Sequence, residues 1–138
     1  MSDKLIQELK KFEGLKLKAY RCPQGKLTIG YGHNLDDNGI PQEIADRLLE
    51  IDIMSAITDA MRFVKNFKEL NQIRQEVIIQ MAFQLGYTTL NYFTKTRTAI
   101  ETELFELASR EMLDSLWARQ TPSRAILLAN RMKTGEYE

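Results

Sequence analysis

The sequence predicts an α+β fold in which a small N-terminal β-hairpin lobe is joined by a long helix to a larger helical lobe. Residues 17–31 carry the strand-like alternation and a Pro/Gly turn, residues 42–64 run without glycine or proline, and later segments return to helical spacing between breakers. At 138 residues the chain fits one domain. Its expected layout is a hairpin lobe at about 14–40, a linking helix at about 41–64, and a helical lobe at about 65–138 together with the N-terminal helix.

Leu5, Ile6, Leu9 and Phe12 recur at helical spacing, so residues 3–12 read as an amphipathic helix with Ser2 as its cap. Glu13 and Gly14 fall at its end. In the following "AYRCPQGKLTIGY", the loop length decides which side chains share a face. A three-residue loop of Pro23, Gln24 and Gly25 pairs Cys22 with Lys26 and Tyr20 with Thr28, and turns Cys22 and Thr28 the same way. A two-residue loop would send Thr28 to the opposite face.

"HNLDDNG" reads as a polar turn, and "GIPQE" as a helix start with proline at the first helical position. Ile44, Leu48, Ile51 and Ala56 then mark the long helix at about 41–64. Ile73, Val77, Met81 and Leu85 mark a core helix ended by Gly86. Further helices are expected at 91–100, 104–114 and 122–133, the last capped by Thr121 and started by Pro122.

Lys and Arg together number 19 and Asp and Glu 19, but the signs are segregated. Residues 1–35 are mainly basic, whereas residues 36–59 carry seven acids and only Arg47. Such blocks are usually solvated faces, and no nucleic-acid motif supports a polyanion partner. Cys22 is the single cysteine, so no internal disulfide can form. Neither a secretory-type apolar run nor a bilayer-length apolar stretch is present, which predicts synthesis in a cytoplasm and no stable membrane insertion. His33 is the only histidine, and no metal-ligand spacing appears.

Glu13 is separated by eight residues from Cys22, which is separated by five from Thr28. Taken singly, these are ordinary residues: a surface glutamate, a small apolar cysteine, and a threonine placed for β propensity. The whole stretch "FEGLKLKAYRCPQGKLTIGYGH", however, strongly resembles the N-terminal signature of the phage endolysins related to T-even phage lysozyme, glycoside hydrolase family 24. "FQLG" at 83–86, Phe93 in "NYFT", and "WARQTPSRA" at 117–125 are similar to words of that family in the same order.

The resemblance implies a lysozyme-like fold and a muramidase, a hydrolase of the β-1,4 bond between N-acetylmuramic acid and N-acetylglucosamine. It implies inversion and a role in host cell lysis, with no cofactor. Peptidoglycan glycan strands are then the partner of a monomeric enzyme that reaches the wall after membrane permeabilisation. Glu13, Cys22 and Thr28 match the catalytic positions. Arg124 matches the arginine facing the catalytic glutamate, and His33 a structural histidine expected to pair with Asp52. Phe83, Thr96 and Gly30 match sugar-contacting positions, whereas Asn34 and Glu111 stand where other residues are usual.

A glycosidase needs a proton donor at the leaving oxygen and, for inversion, a group activating water on the other face. Glu13 is the donor candidate. A thiol with an ordinary pKa of about 8.5 is a poor base at neutral pH unless neighbours stabilise the thiolate, and Arg21 and Lys26 are the basic neighbours at hand. Three roles for Cys22 stay open: thiolate base, stabiliser of oxocarbenium-like charge, or nucleophile. A catalytically weak or inactive peptidoglycan-binding relative is the alternative reading.

Overall fold

The computed structural model describes residues 1–138 and divides into two compact units, Met1–Arg47 and Leu48–Glu138. The first unit begins with α1 (Asp3–Glu13), whose N-terminus is capped as expected: the Ser2 hydroxyl accepts the Leu5 N–H at 3.2 Å. At the other end Gly14 donates its N–H to the Lys10 carbonyl and releases the chain into the sheet.

The sheet has three antiparallel strands in the order β1 (Lys16–Arg21), β2 (Leu27–Gly30) and β3 (His33–Asn34). The longer hairpin loop forms. Gly25 N–H donates to Cys22 O at 2.8 Å, closing the turn, and Cys22 N–H donates to Lys26 O at 2.9 Å. Gly25 takes φ +79°, the left-handed conformation that this three-residue loop requires. Tyr20 consequently pairs with Thr28, and Arg21 with Leu27, while an irregularity between Lys16 and Tyr20 shifts the outer register.

The polar segment after His33 is more ordered than its composition suggests. His33 and Asn34 add the third strand, opposite Ile29 and Thr28, and Leu35–Asn38 closes into a four-residue helix, α2. Asn34 caps it by accepting the Asp37 N–H at 3.0 Å. α3 (Gln42–Phe63) follows, with Pro41 immediately before it accepting the Ala45 N–H; the division between the units falls within this helix.

The second unit is helical. After the end of α3 and a single 3-10 turn at Phe67–Glu69 come α4 (Gln72–Leu90), α5 (Thr94–Glu101), α6 (Phe105–Leu113), α7 (Leu116–Gln120) and α8 (Pro122–Thr134). Gly86 interrupts α4 at φ +75°, where the sequence predicts a helix end. α7 is an added helix, started by the Ser115 hydroxyl accepting from Ala118 N–H. Thr121, expected to cap α8, does not: its hydroxyl donates backwards to the Trp117 carbonyl at 2.9 Å, finishing α7 instead.

Ile78, Met81, Ile100, Met112, Leu128 and Met132 are essentially buried and form the centre of this unit, each contributing roughly 1.5–3 kcal/mol of transfer free energy. Polar groups at its edges find partners. Trp117 Nε1 donates to Gln84 Oε1 at 2.9 Å, and its ring meets Phe93 edge-on with centroids 6.2 Å apart. Arg74 lies over Phe105 at 3.7 Å and donates to the Met132 and Lys133 carbonyls, tying α4 to the end of α8. No helix is long and apolar enough to cross a membrane.

Candidate active site

Glu13 ends α1, and its side chain lies over the turn between β2 and β3. A Cβ added to Gly32 would come 2.4 Å from Glu13 Oε2, so any larger residue here would make the end of the Glu13 side chain shift. Gly32 also holds φ +72°. The same turn starts the strand that continues the sheet of Cys22 and Thr28, so one carboxylate, one thiol and one hydroxyl belong to a single small unit.

Cys22 is half-buried at the mouth of the hairpin loop, and its thiol donates to Gln24 Oε1 at 3.4 Å. Thr28, only 3% exposed, donates its hydroxyl proton to the Lys26 carbonyl at 2.8 Å. Partial desolvation pushes the Cys22 thiol up, but hydrogen bonds from the backbone of Lys26 and Gln24, the Thr28 side chain and Cys22's own backbone outweigh it, so the thiol sits below its ordinary value. One hydroxyl proton cannot serve two acceptors. Thr28 therefore donates to the Lys26 carbonyl while sulfur is protonated, and can turn to the thiolate when it is not.

The expected cationic help for the thiolate is largely diverted. Arg21 Nη1 is 3.1 Å from Asp36 Oδ2 and also donates to the Gly25 carbonyl, while Lys26 Nζ is 2.9 Å from Asp37 Oδ1. Asp37 is the main reason that Lys26 holds its proton more tightly than usual; the Cys22 charge is a lesser one. In return the Lys26 hydrogen bond draws Asp37 below the usual carboxylate range. Dipoles, more than these two cations, stabilise the sulfur anion.

Gly30 ends β2 opposite Lys16. His33 Nε2 is 2.6 Å from the Gly39 carbonyl, a bond that requires the proton on Nε2 and leaves Nδ1 as an acceptor in the neutral ring. Asp52 lies in α3, Phe83 in α4 with 42% exposure, and Arg124 half-buried in α8. All three belong to the second unit. Thr96 is buried in α5 and borders a groove of about 380 Å³ that Phe93, Glu111 and Trp117 also line.

Both carboxylates of α2 and the glycine beneath Glu13 escape a reading based on catalytic spacing. Gly32 stands in "GYGH", where its signal was a second glycine two residues after Gly30. For Asp36 and Asp37 the available signal was the sign reversal of charge immediately after the hairpin.

A sequence model of the family described as phage lysozyme matches residues 10–133, spanning both the Glu13–Cys22–Thr28 constellation and the helical unit. The chain belongs to that family. Its α+β architecture is accordingly lysozyme-like, as the sequence resemblance implies. Among curated relatives of this phage lysozyme family member, the protein named "Probable T4-type lysozyme 1" of Dictyostelium discoideum is 28% identical over 160 residues, covering 94% of each chain. An endolysin of Acyrthosiphon pisum secondary endosymbiont phage 1 is 36% identical over 98 residues, covering 68% of this chain and 65% of its own. The pre-baseplate central spike protein Gp5 of Enterobacteria phage T4 is 28% identical over 97% of this chain but only 28% of its own length.

Proposed function

We propose that this lysozyme-family chain is a muramidase that hydrolyses the β-1,4 bond between N-acetylmuramic acid and N-acetylglucosamine of peptidoglycan, with inversion, in host cell lysis. What carries the reading is the Glu13 carboxylate seated on Gly32 in the same small sheet unit as the Cys22–Thr28 pair. The names of the endolysin and T4-type lysozyme relatives support the reaction class.

Glu13, protonated, gives its proton to the leaving glycosidic oxygen as the bond to the anomeric carbon breaks. A water held by the Thr28 hydroxyl and the Cys22 thiolate attacks that carbon from the opposite face. The sulfur takes the water's proton, and exchange with solvent resets both groups. The lowered proton affinity of the Cys22 thiol supports this assignment, because a larger share of the sulfur is then thiolate near neutral pH.

Arg124 is the cation assigned to Glu13, and His33 is assigned with Asp52 to a structural brace, a pairing that needs a second ring proton, on Nδ1, beside the one that Nε2 gives to the Gly39 carbonyl. Phe83, Thr96 and Gly30 are assigned to sugar contact. The residues act as one single-domain monomer, and no cofactor enters the reaction. Release of new reducing ends from purified peptidoglycan, abolished in Glu13→Gln, tests the proposal, and proton NMR of the first anomer formed tests inversion. Binding of peptidoglycan with no new reducing ends would replace it with the wall-binding reading.

A further inference from the structure

Two cations stand next to Cys22 on the hairpin, Arg21 in sequence and Lys26 in register, and each is held by an acid of α2. On the hairpin, Arg21 precedes Cys22 and Lys26 is its cross-strand partner, with Tyr20 and Thr28 forming the next pair on that face. From α2, Asp36 holds Arg21 and Asp37 holds Lys26. Of these, Lys26 shares the Cys22 face and feels the charge of the sulfur, whereas Arg21, paired with Leu27, alternates to the other face.

The second of these ion pairs is built from both sides. Asn34 Nδ2 donates to Asp37 Oδ2 at 2.9 Å while Asn34 Oδ1 accepts the Asp37 backbone N–H at 3.0 Å, so one side chain locks both the position and the rotamer of the carboxylate. The other oxygen, Oδ1, takes the Lys26 ammonium at 2.9 Å. Lys26 itself has a flexible four-carbon stem whose charge would otherwise be free to settle on the nearest anion.

We propose that Asp37 is a positioning residue for the hairpin site, acting through Lys26: it anchors the ammonium on α2 and so limits the positive charge that reaches the Cys22 sulfur. This rests on the reading of Cys22 as the group that activates water. An ammonium against the sulfur would favour the anion but weaken it as a base, since a more stabilised thiolate accepts a proton from water less readily. Anchoring Lys26 on Asp37 keeps the sulfur basic, and leaves hydrogen bonds as the main groups that lower its affinity for the proton.

Because Cys22 is the only cysteine, the rate of its alkylation by iodoacetamide across pH reports the sulfur directly in the full chain. Asp37→Asn is expected to speed alkylation about threefold below the thiol's midpoint, the thiolate gain from a half-unit shift. Lys26→Gln is expected to slow alkylation more in the Asp37→Asn background than in the parent, because only there is the ammonium free. Two effects that simply multiply, or slower alkylation in Asp37→Asn, would overturn the proposal. Peptidoglycan hydrolysis separates the two levels: its acidic pH limb should move down with the alkylation midpoint in Asp37→Asn. A limb that stays put while alkylation shifts would leave the anchor standing and remove Cys22 from the water-activating role.

Discussion

Asp36 Oδ2 accepts the backbone N–H of Leu27 at 2.6 Å, at the point where β3 has ended and no strand remains to pair with β2 on that side. The carboxylate stands in for the missing strand carbonyl. It also fixes Arg21, Leu27's cross-strand partner, and thereby ties α2 to both strands beside the Cys22 loop.

Asp36→Ala should therefore loosen the hairpin tip. The expected cost is about 1–3 kcal/mol, that of a charge-assisted hydrogen bond lost to a backbone donor, and the Leu27 amide should exchange faster with solvent deuterium. Hydrogen exchange at that amide, set against an unaltered amide in α8, checks it.

Gly32→Ala should separate catalysis from folding. The new methyl cannot coexist with Glu13 Oε2 where it stands, so the carboxylate must move. Displacement of a reacting group by about 1 Å can cost on the order of 100-fold, and the positive φ adds roughly 1 kcal/mol of instability. A kcat loss of that size on peptidoglycan, with the variant still folded by circular dichroism, is the expected result.

Cys22→Ser and Cys22→Asp should diverge. Serine cannot ionise at working pH, so turnover should fall by about 100-fold or more, the usual share of a general base. Aspartate should retain turnover and move the acidic limb of the kcat/KM profile to lower pH, because a carboxylate stays basic until about pH 4. Near-normal turnover in the serine variant would eliminate thiolate base catalysis.

Stability should carry the same signature with a definite sign. The Cys22 thiol is depressed in the folded chain, so its contribution is fully present above the unfolded thiol value of about 8.5 and is lost as pH falls through the folded value. The melting temperature of the parent minus that of Cys22→Ser should therefore rise with pH across that window. A flat difference would mean that the sulfur is not stabilised as an anion by the folded hairpin.

Arg74→Lys should fail to replace arginine in the second unit. The guanidinium lies on Phe105 and donates to two α8 carbonyls, and its partial desolvation lowers its affinity for the proton. A lysine cannot reproduce the planar stack and the two donors, so a loss of about 2 kcal/mol is expected in urea unfolding.

The helices at 3–12, 41–64 and 122–133 were legible because each writes its own period or breakers in a continuous stretch, as was the hairpin register, which Pro23 and Gly25 impose through local backbone geometry. α2, β3 and α7 were not, being two to five residues long and too short to show any period. The polar caps that start α2 and α7, Asn34 and Ser115, become meaningful only beside a neighbour. Thr121 makes the same point in reverse: its type and place suit a cap, but its hydroxyl donates back to the Trp117 carbonyl and makes no cap bond to α8.

The order of residues alone carried the family and the Glu13–Cys22–Thr28 spacing, and it narrowed the face of Thr28 to two loop lengths, between which the folded hairpin chose the longer. What surrounds the sulfur was decided by tertiary structure. Arg21 and Lys26 look available in the chain, and only folding brings Asp36 and Asp37 within 3.1 Å and 2.9 Å of them. Charge acts through distance in space, which the linear sequence does not contain, whereas strand register acts through counting, which it does.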